Sequence, residues 1–300
     1  MRLLACALAL AAGVAALPTG AAASPTPLAA WYMYGASAAD LRSYAYSRAC
    51  DFAQAQPGTS LRVLLLDFGA ARKLDSSTWG AVDFSNTRFS NADILGALKR
   101  AADGYHNCHV RGAVDVVYGV SNYHLSGSGM STTDAWYAGY HQSERAEDLH
   151  EYQVSQGYTS QTSDAAGDME PSWDGQLITK QLVNGDQAQG WALYFDFGSA
   201  DGCPQSGSAD GACNNGWHVS DVGYASFHGL AVPLPEIYFS ANASQWTVVR
   251  KWWDAAQTSD YFFGGVTGST GVGMTPASAW NALASLNTGL VDSELVCFGC

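Results

Sequence analysis

Seven times between Trp31 and Leu286 a short apolar run is followed by a longer amphipathic stretch, and this alternation restricts the possible folds more than any other feature. The runs at 31–35, 62–69, 113–119, 165–170, 191–198, 236–239 and 261–266 have the length of strands. The clearest, Arg62 to Gly69, is continuously apolar through Val63-Leu64-Leu65-Leu66, as expected of a strand buried on both faces. The stretches at 39–54, 91–105, 131–155, 173–184, 217–228, 244–257 and 276–286 read as helices. Leu41, Tyr44, Ala45 and Ala49 share one face of the first, and Ile94, Leu95, Leu98 and Ala102 one face of the second. Consecutive strands joined by helices pair in parallel, because each return to the same sheet edge needs a crossover. With 290–298 read either as an irregular eighth strand or as a tail pinned by Cys297–Cys300, the pattern predicts an α/β fold, a (β/α)8 TIM-like barrel. The alternative is an open doubly wound sheet, but its glycine fingerprint after the first strand is missing.

The N-terminus bears on compartment. Met1-Arg2, an apolar stretch from Leu3 to Leu17 and small residues at Ala21, Ala22 and Ala23 have the order of a secretory signal peptide, cut after Ala23. The expected organisation is therefore a signal segment over 1–23 and a single barrel domain over 24–300. No later run is apolar enough to span a membrane. Six cysteines follow the cut, an even number that suggests disulfides in an exported chain. The local pairing is Cys50–Cys108, Cys203–Cys213 and Cys297–Cys300. Cys203 and Cys213 are ten positions apart, which does not match the tight spacing of a zinc ribbon, so no metal and no other cofactor is expected.

Without Arg2 the chain has 27 acidic against 13 basic residues, a net charge of −14, which repels phosphate backbones and makes nucleic acid a poor partner. Charged residues are only 14% of the chain and aromatic ones 12%, a balance suited to an extracellular, monomeric protein that meets sugars.

In such a barrel, chemistry gathers at the C-terminal ends of the strands. Asp67, Asp168, Glu170 and Asp196 are the acids placed there. Gly167-Asp168-Met169-Glu170-Pro171 is the strongest signal, because strand alternation puts Asp168 and Glu170 on one face and Met169 on the other. Mutual repulsion and burial raise one pKa, and the proton so held, at Glu170, can pass to a glycosidic oxygen. The competing reading is a pair of solvated acids at the start of the next helix. Tyr34, Tyr118, Trp173 and Tyr238 are candidate sugar platforms, and Asn122 and Tyr123 candidate hydroxyl partners; packing explains any of the aromatics equally simply. Leu64 to Ala70 echoes Leu193 to Ser199, each placing Asp-Phe-Gly at a strand end.

The D-x-E at the end of the fourth strand–helix unit's strand resembles the family 25 lysozymes and the wider group of glycoside-hydrolase-like barrels of secreted bacterial proteins. Pro235-Glu236-Ile237-Tyr238, followed by Gln245-Trp246, is similar to the sixth-strand segment of those barrels. The resemblance implies that Glu170 is the general acid and Asp168 its electrostatic partner. Family 25 enzymes also carry an aspartate on their first strand. Here that strand reads Trp31-Tyr32-Met33-Tyr34-Gly35, so the missing carboxylate would fall to Asp67 or Asp196. The longer acidic pattern of family 18 chitinases is absent.

The chain has no Gly-x-Ser-x-Gly elbow and no lysine in its glycine-rich 264–273 segment, which argues against an α/β-hydrolase and a phosphate loop. The expected function is a secreted glycoside hydrolase acting on a polysaccharide or cell-wall peptidoglycan. The alternative is a non-catalytic carbohydrate-binding or cell-surface protein on a degenerate barrel.

Overall fold

The computed structural model of the chain describes residues 25–55, 61–109, 112–256, 262–268 and 273–298. From β1 (Leu28–Tyr32) the chain passes through α1 (Ala38–Ala55) to β2 (Leu61–Lys73). A hairpin of β3 (Trp79–Val82) and β4 (Arg88–Ser90) precedes α2 (Asn91–Cys108) and β5 (Ala113–Ser121). Then follow α3 (Thr132–Gln156), β6 (Gln161–Asp168), α4 (Gln176–Gln189), β7 (Tyr194–Asp196), α5 (Val219–Phe227) and β8 (Ala231–Pro233). The order ends with α6 (Ser240–Ala256), β9 (Phe262–Gly268), α7 (Pro276–Leu286) and β10 (Val291–Phe298). Eight strands pair in parallel in the order β8-β7-β6-β5-β2-β1-β10-β9. At the seam between β8 and β9, a Cβ on Gly265 would stand 4.0 Å from the Pro235 carbonyl oxygen. The result is a nearly closed TIM-like barrel.

Local chemistry sets the helix starts. Ser90 and Ser131 each accept from the backbone N–H three residues on, and Asp93 and Asp134 return the bond as capping boxes. Thr275 caps α7, with Pro276 in its first turn. Strand alternation then divides the core. Val63, Leu65, Val117, Ala166, Phe195, Phe197 and Val296 fill the barrel, while Leu64, Leu66, Val116, Tyr118, Ala165 and Tyr194 pack outward under the helices.

Several expected boundaries are corrected. β1 begins and ends about three residues early, because the chain at Gly35 already folds onto α1: a Cβ there would lie 2.7 Å from the Leu41 nitrogen. β6 stops at Asp168, so Glu170 lies beyond the strand. The sixth barrel strand is Ala231–Pro233, not 236–239. Pro233 and Pro235 have no N–H to donate, although Leu234 and Glu236 still donate to the carbonyls of Asp196 (2.7 Å) and Gly198 (3.0 Å). The hairpin after β2 was not expected. It forms because β2 runs past the barrel and bends at Gly69, whose φ of +87° and approach to the Val82 carbonyl exclude a side chain. The eighth barrel strand, β10, pairs with both β9 and β1 and shifts register between Val291 and Glu294.

Cys50–Cys108 ties α1 to α2, and Cys203–Cys213 closes the loop after β7. Cys300, the expected partner of Cys297, and the expected signal segment lie outside the described residues. Among the described residues no helix is long and apolar enough to cross a membrane.

Candidate active site

The C-terminal mouth of the barrel is walled by acids. Asp67 ends the inward row Val63-Leu65-Asp67 of β2, and Asp168 ends the inward row of β6; both are buried. Glu170 continues that parity beyond β6, while Met169 between them packs into the outer core. Glu236 enters from the segment after β8 and is also buried. Glu170 is the first of the charges that act on Asp168, so the two carboxyls stay close although the strand ends between them.

Glu170 is fixed by its backbone. The buried Asn122 accepts from the Glu170 N–H (3.1 Å) and donates to the Glu170 carbonyl (3.0 Å) and to Thr179 Oγ1 (3.0 Å). Its carboxamide is therefore occupied, which corrects its assignment as a substrate ligand. Beyond Glu170 the chain is braced by the loop closed by Cys203–Cys213. Asn215 donates to the Pro171 carbonyl, Asn214 donates to Ser172 Oγ, and the Trp217 indole donates to the Asp174 carbonyl.

The side chains of Tyr32, Tyr238, Glu236 and Glu170 lie in a row, each within hydrogen-bonding reach of the next. Burial, the Glu236 charge and Asp201 push Glu170 up to about 9. Burial pushes Glu236 up to about 7, held back by the bonds from Tyr238 and Glu170. Glu170 therefore keeps the proton at neutral pH. Asp168 is pushed well above the carboxylate range by burial, then by Glu170, Glu236 and Asp67. Burial raises Asp67 to about 7 against the Gly69 N–H bond that favours its charge.

The other expected residues divide. Asp196 lies on the opposite face of β7 from Phe195 and Phe197. It accepts from Gly198 N–H, Ser226 Oγ of α5 and Met169 N–H, so it braces the strand ends and does not line the mouth. That corrects its assignment as a catalytic acid. Tyr118 faces the helix layer, edge-on to Phe68 at 5.4 Å, with its hydroxyl toward Asn91, and is not a sugar platform. Tyr34 is exposed beside Asp67, and Trp173 stands edge-on to the exposed Tyr123 at 5.6 Å on the rim. Tyr238 is engaged with Glu236.

Sequence reasoning missed Glu236 as an acid of the site, although an acid just past a barrel strand and beside a tyrosine was a readable signal. It missed Tyr32, which stacks on Phe298 at 4.4 Å inside the mouth. It also missed Phe84 at the hairpin tip, edge-on to Tyr32 at 5.0 Å, which nothing local in the sequence marks. Among the described residues no group of three or more His, Cys, Asp or Glu is arranged to hold a metal ion.

Fold and site together define a TIM-like barrel with a carboxylate-walled C-terminal mouth. No protein-family model and no curated protein matches the chain. Among solved structures it is similar to a GH18 chitinase from Pseudoalteromonas aurantia, at 10% identity and a TM-score of 0.43, over 91% of this chain and 94% of that one. It is similar at the same TM-score of 0.43 to the apo homocysteine methyltransferase MmuM from Escherichia coli, at 9% identity over 91% and 90%. The two neighbours differ in chemistry and both likenesses are faint, so the site is read from its own residues.

Proposed function

We propose that this chain is a secreted glycoside hydrolase that cleaves a polysaccharide by carboxylate general acid catalysis. The observation that carries the reading is the meeting of two buried carboxyls, Glu170 and Glu236, at the barrel mouth. Glu170 donates its proton to the glycosidic oxygen as the bond from that oxygen to the anomeric carbon breaks. The positive charge developing on the sugar is stabilised by the ionised Glu236 beside it. Water adds to the anomeric carbon and gives a proton to Glu236, which returns it to Glu170 across their hydrogen bond.

The spacing of Asp168 and Glu170, which resembles that of family 25 lysozymes, supports a glycan substrate, with peptidoglycan one polymer that fits. The two disulfides and the apolar N-terminal stretch support an exported location. Half-buried and exposed aromatics on the rim, Trp173, Tyr34 and Phe84, support sugar stacking.

Glu170→Gln should lower release of reducing sugar by about 10²–10⁴-fold while the melting temperature stays in place. In the parent protein the rate should fall as pH rises past about 9, where Glu170 loses its proton. Full activity of Glu170→Gln on a polysaccharide that the parent cleaves would end the reading.

A further inference from the structure

Below the glutamate pair, three buried polar atoms have no hydrogen-bond partner: Asp67 Oδ2, Ser121 Oγ and Asp168 Oδ1. They belong to β2, β5 and β6, which are neighbours in the barrel. Ser121 pairs across from Asp168, Asp67 pairs across from Gly119 one inward position earlier on the same strand, and Asp67 is among the charges that act on Asp168. All three residues share the inward parity of Leu65, Val117 and Ala166, and none is more than 2% exposed. Gly119 puts no side chain beside Asp67.

Two of these atoms belong to carboxyl groups, so the partner that satisfies the three is a hydrogen-bond donor, and a positive charge satisfies them best. Among the described residues no lysine or arginine pairs with Asp67, Ser121 or Asp168; the basic side chains that form ion pairs do so with other acids. The charges nearest Asp168 are all acidic: Glu170, Glu236, Asp67 and Asp196. A protonated primary amine carries one positive charge and three N–H donors, one for each waiting acceptor. An acetamide has a single N–H and no charge, and a uronate would add a negative charge to an acidic mouth.

We propose that Asp67, Ser121 and Asp168 form a subsite for the protonated amine of a sugar, so that the glycan taken by this barrel carries free, de-N-acetylated glucosamine residues. This deepens the glycosidase reading and rests on it for the substrate, but the binding itself can be tested alone.

Isothermal titration of the parent protein at pH 6 compares the glucosamine trimer with the N-acetylglucosamine trimer. The free-amine trimer should bind about tenfold tighter or better. It should release protons, read as an enthalpy that changes with the ionisation heat of the buffer, because the two aspartates ionise when the cation arrives. Ser121→Ala should weaken the free-amine trimer about tenfold, and the near-isosteric Asp67→Asn by at least as much. Ser121→Ala should leave the weak binding of the acetylated trimer unchanged.

Ser121 Oγ has no partner to lose, so the alanine variant should fold normally. Equal or tighter binding of the acetylated trimer would overturn the proposal. So would free-amine binding unmoved by both substitutions. Cleavage is scored separately: preferred cleavage of the acetylated polymer, abolished by Glu170→Gln, overturns the amine subsite and leaves the glycosidase. Amine-selective binding with no cleavage of any glycan does the reverse.

Discussion

Removing the Asn122 side chain should cost both stability and activity, by separable amounts. Asn122→Ala deletes the bond from the Glu170 N–H (3.1 Å), the bond to the Glu170 carbonyl (3.0 Å) and the bond to Thr179 Oγ1 (3.0 Å). The site is fully buried, so water does not replace the partners. Three bonds at a net contribution of about 1 kcal/mol each set the lower bound, and stranding two buried backbone groups of Glu170 brings the total to about 3–5 kcal/mol. At about 2–3 °C per kcal/mol for a domain of this size, the thermal midpoint should fall by about 6–15 °C, read by circular dichroism. Initial rates on a cleaved glycan, taken well below the variant's midpoint, should show kcat reduced more than KM is raised, because Glu170 is displaced from the glycosidic oxygen. A midpoint within about 1 °C of the parent would refute the clamp, since bonds of this number and burial cannot be neutral. A normal midpoint shift with unchanged kcat would refute the link from clamp to acid.

The remaining predictions concern the interior acids, the disulfide loop and the hairpin. Asp67, Asp196 and Glu236 are raised to about 7 by burial, so below their unfolded values near 4 both states hold the proton and nothing is lost. As pH climbs from there toward 7 the unfolded chain releases protons that the fold retains, and stability falls. One such carboxyl costs about 2.3 kcal/mol between pH 5 and 7, so a melt at pH 5 should exceed one at pH 7 by about 5 °C or more, and a higher midpoint at pH 7 would contradict the assignment. Replacing Cys203 and Cys213 together by serine should free the braces from Asn214, Asn215 and Trp217 on the segment after Glu170, lowering kcat severalfold; equal kinetics would show that the loop does not position the acid. Phe84→Ala should raise KM for a glycan with little change in the midpoint, as Phe84 is 43% exposed, and an unchanged KM would remove the hairpin from the binding surface.

The alternation of apolar runs and amphipathic stretches was enough to predict a parallel barrel, because crossover geometry leaves few other arrangements. The helix starts at Ser90 and Ser131 were equally local, written in side chains that cap their own backbone. The D-x-E pair stands out in the sequence for a local reason too: Asp168 closes its strand and Glu170 follows two positions on.

What the sequence could not decide was which side of each strand faces the barrel. The two Asp-Phe-Gly segments make the same local bond, from the N–H two residues on to the aspartate, at Gly69 and at Gly198. Yet Asp67 faces into the barrel while Asp196 faces out to Ser226, because the two strands enter it in opposite parity. Tyr118 was lost to the helix layer in the same way. The meeting of Glu170 with Glu236, some sixty-six positions later in the chain, depends on strands that close a ring. Local residue chemistry determined what each segment could become; burial and register, which exist only once the barrel has closed, decided which acids meet and which of them keeps the proton.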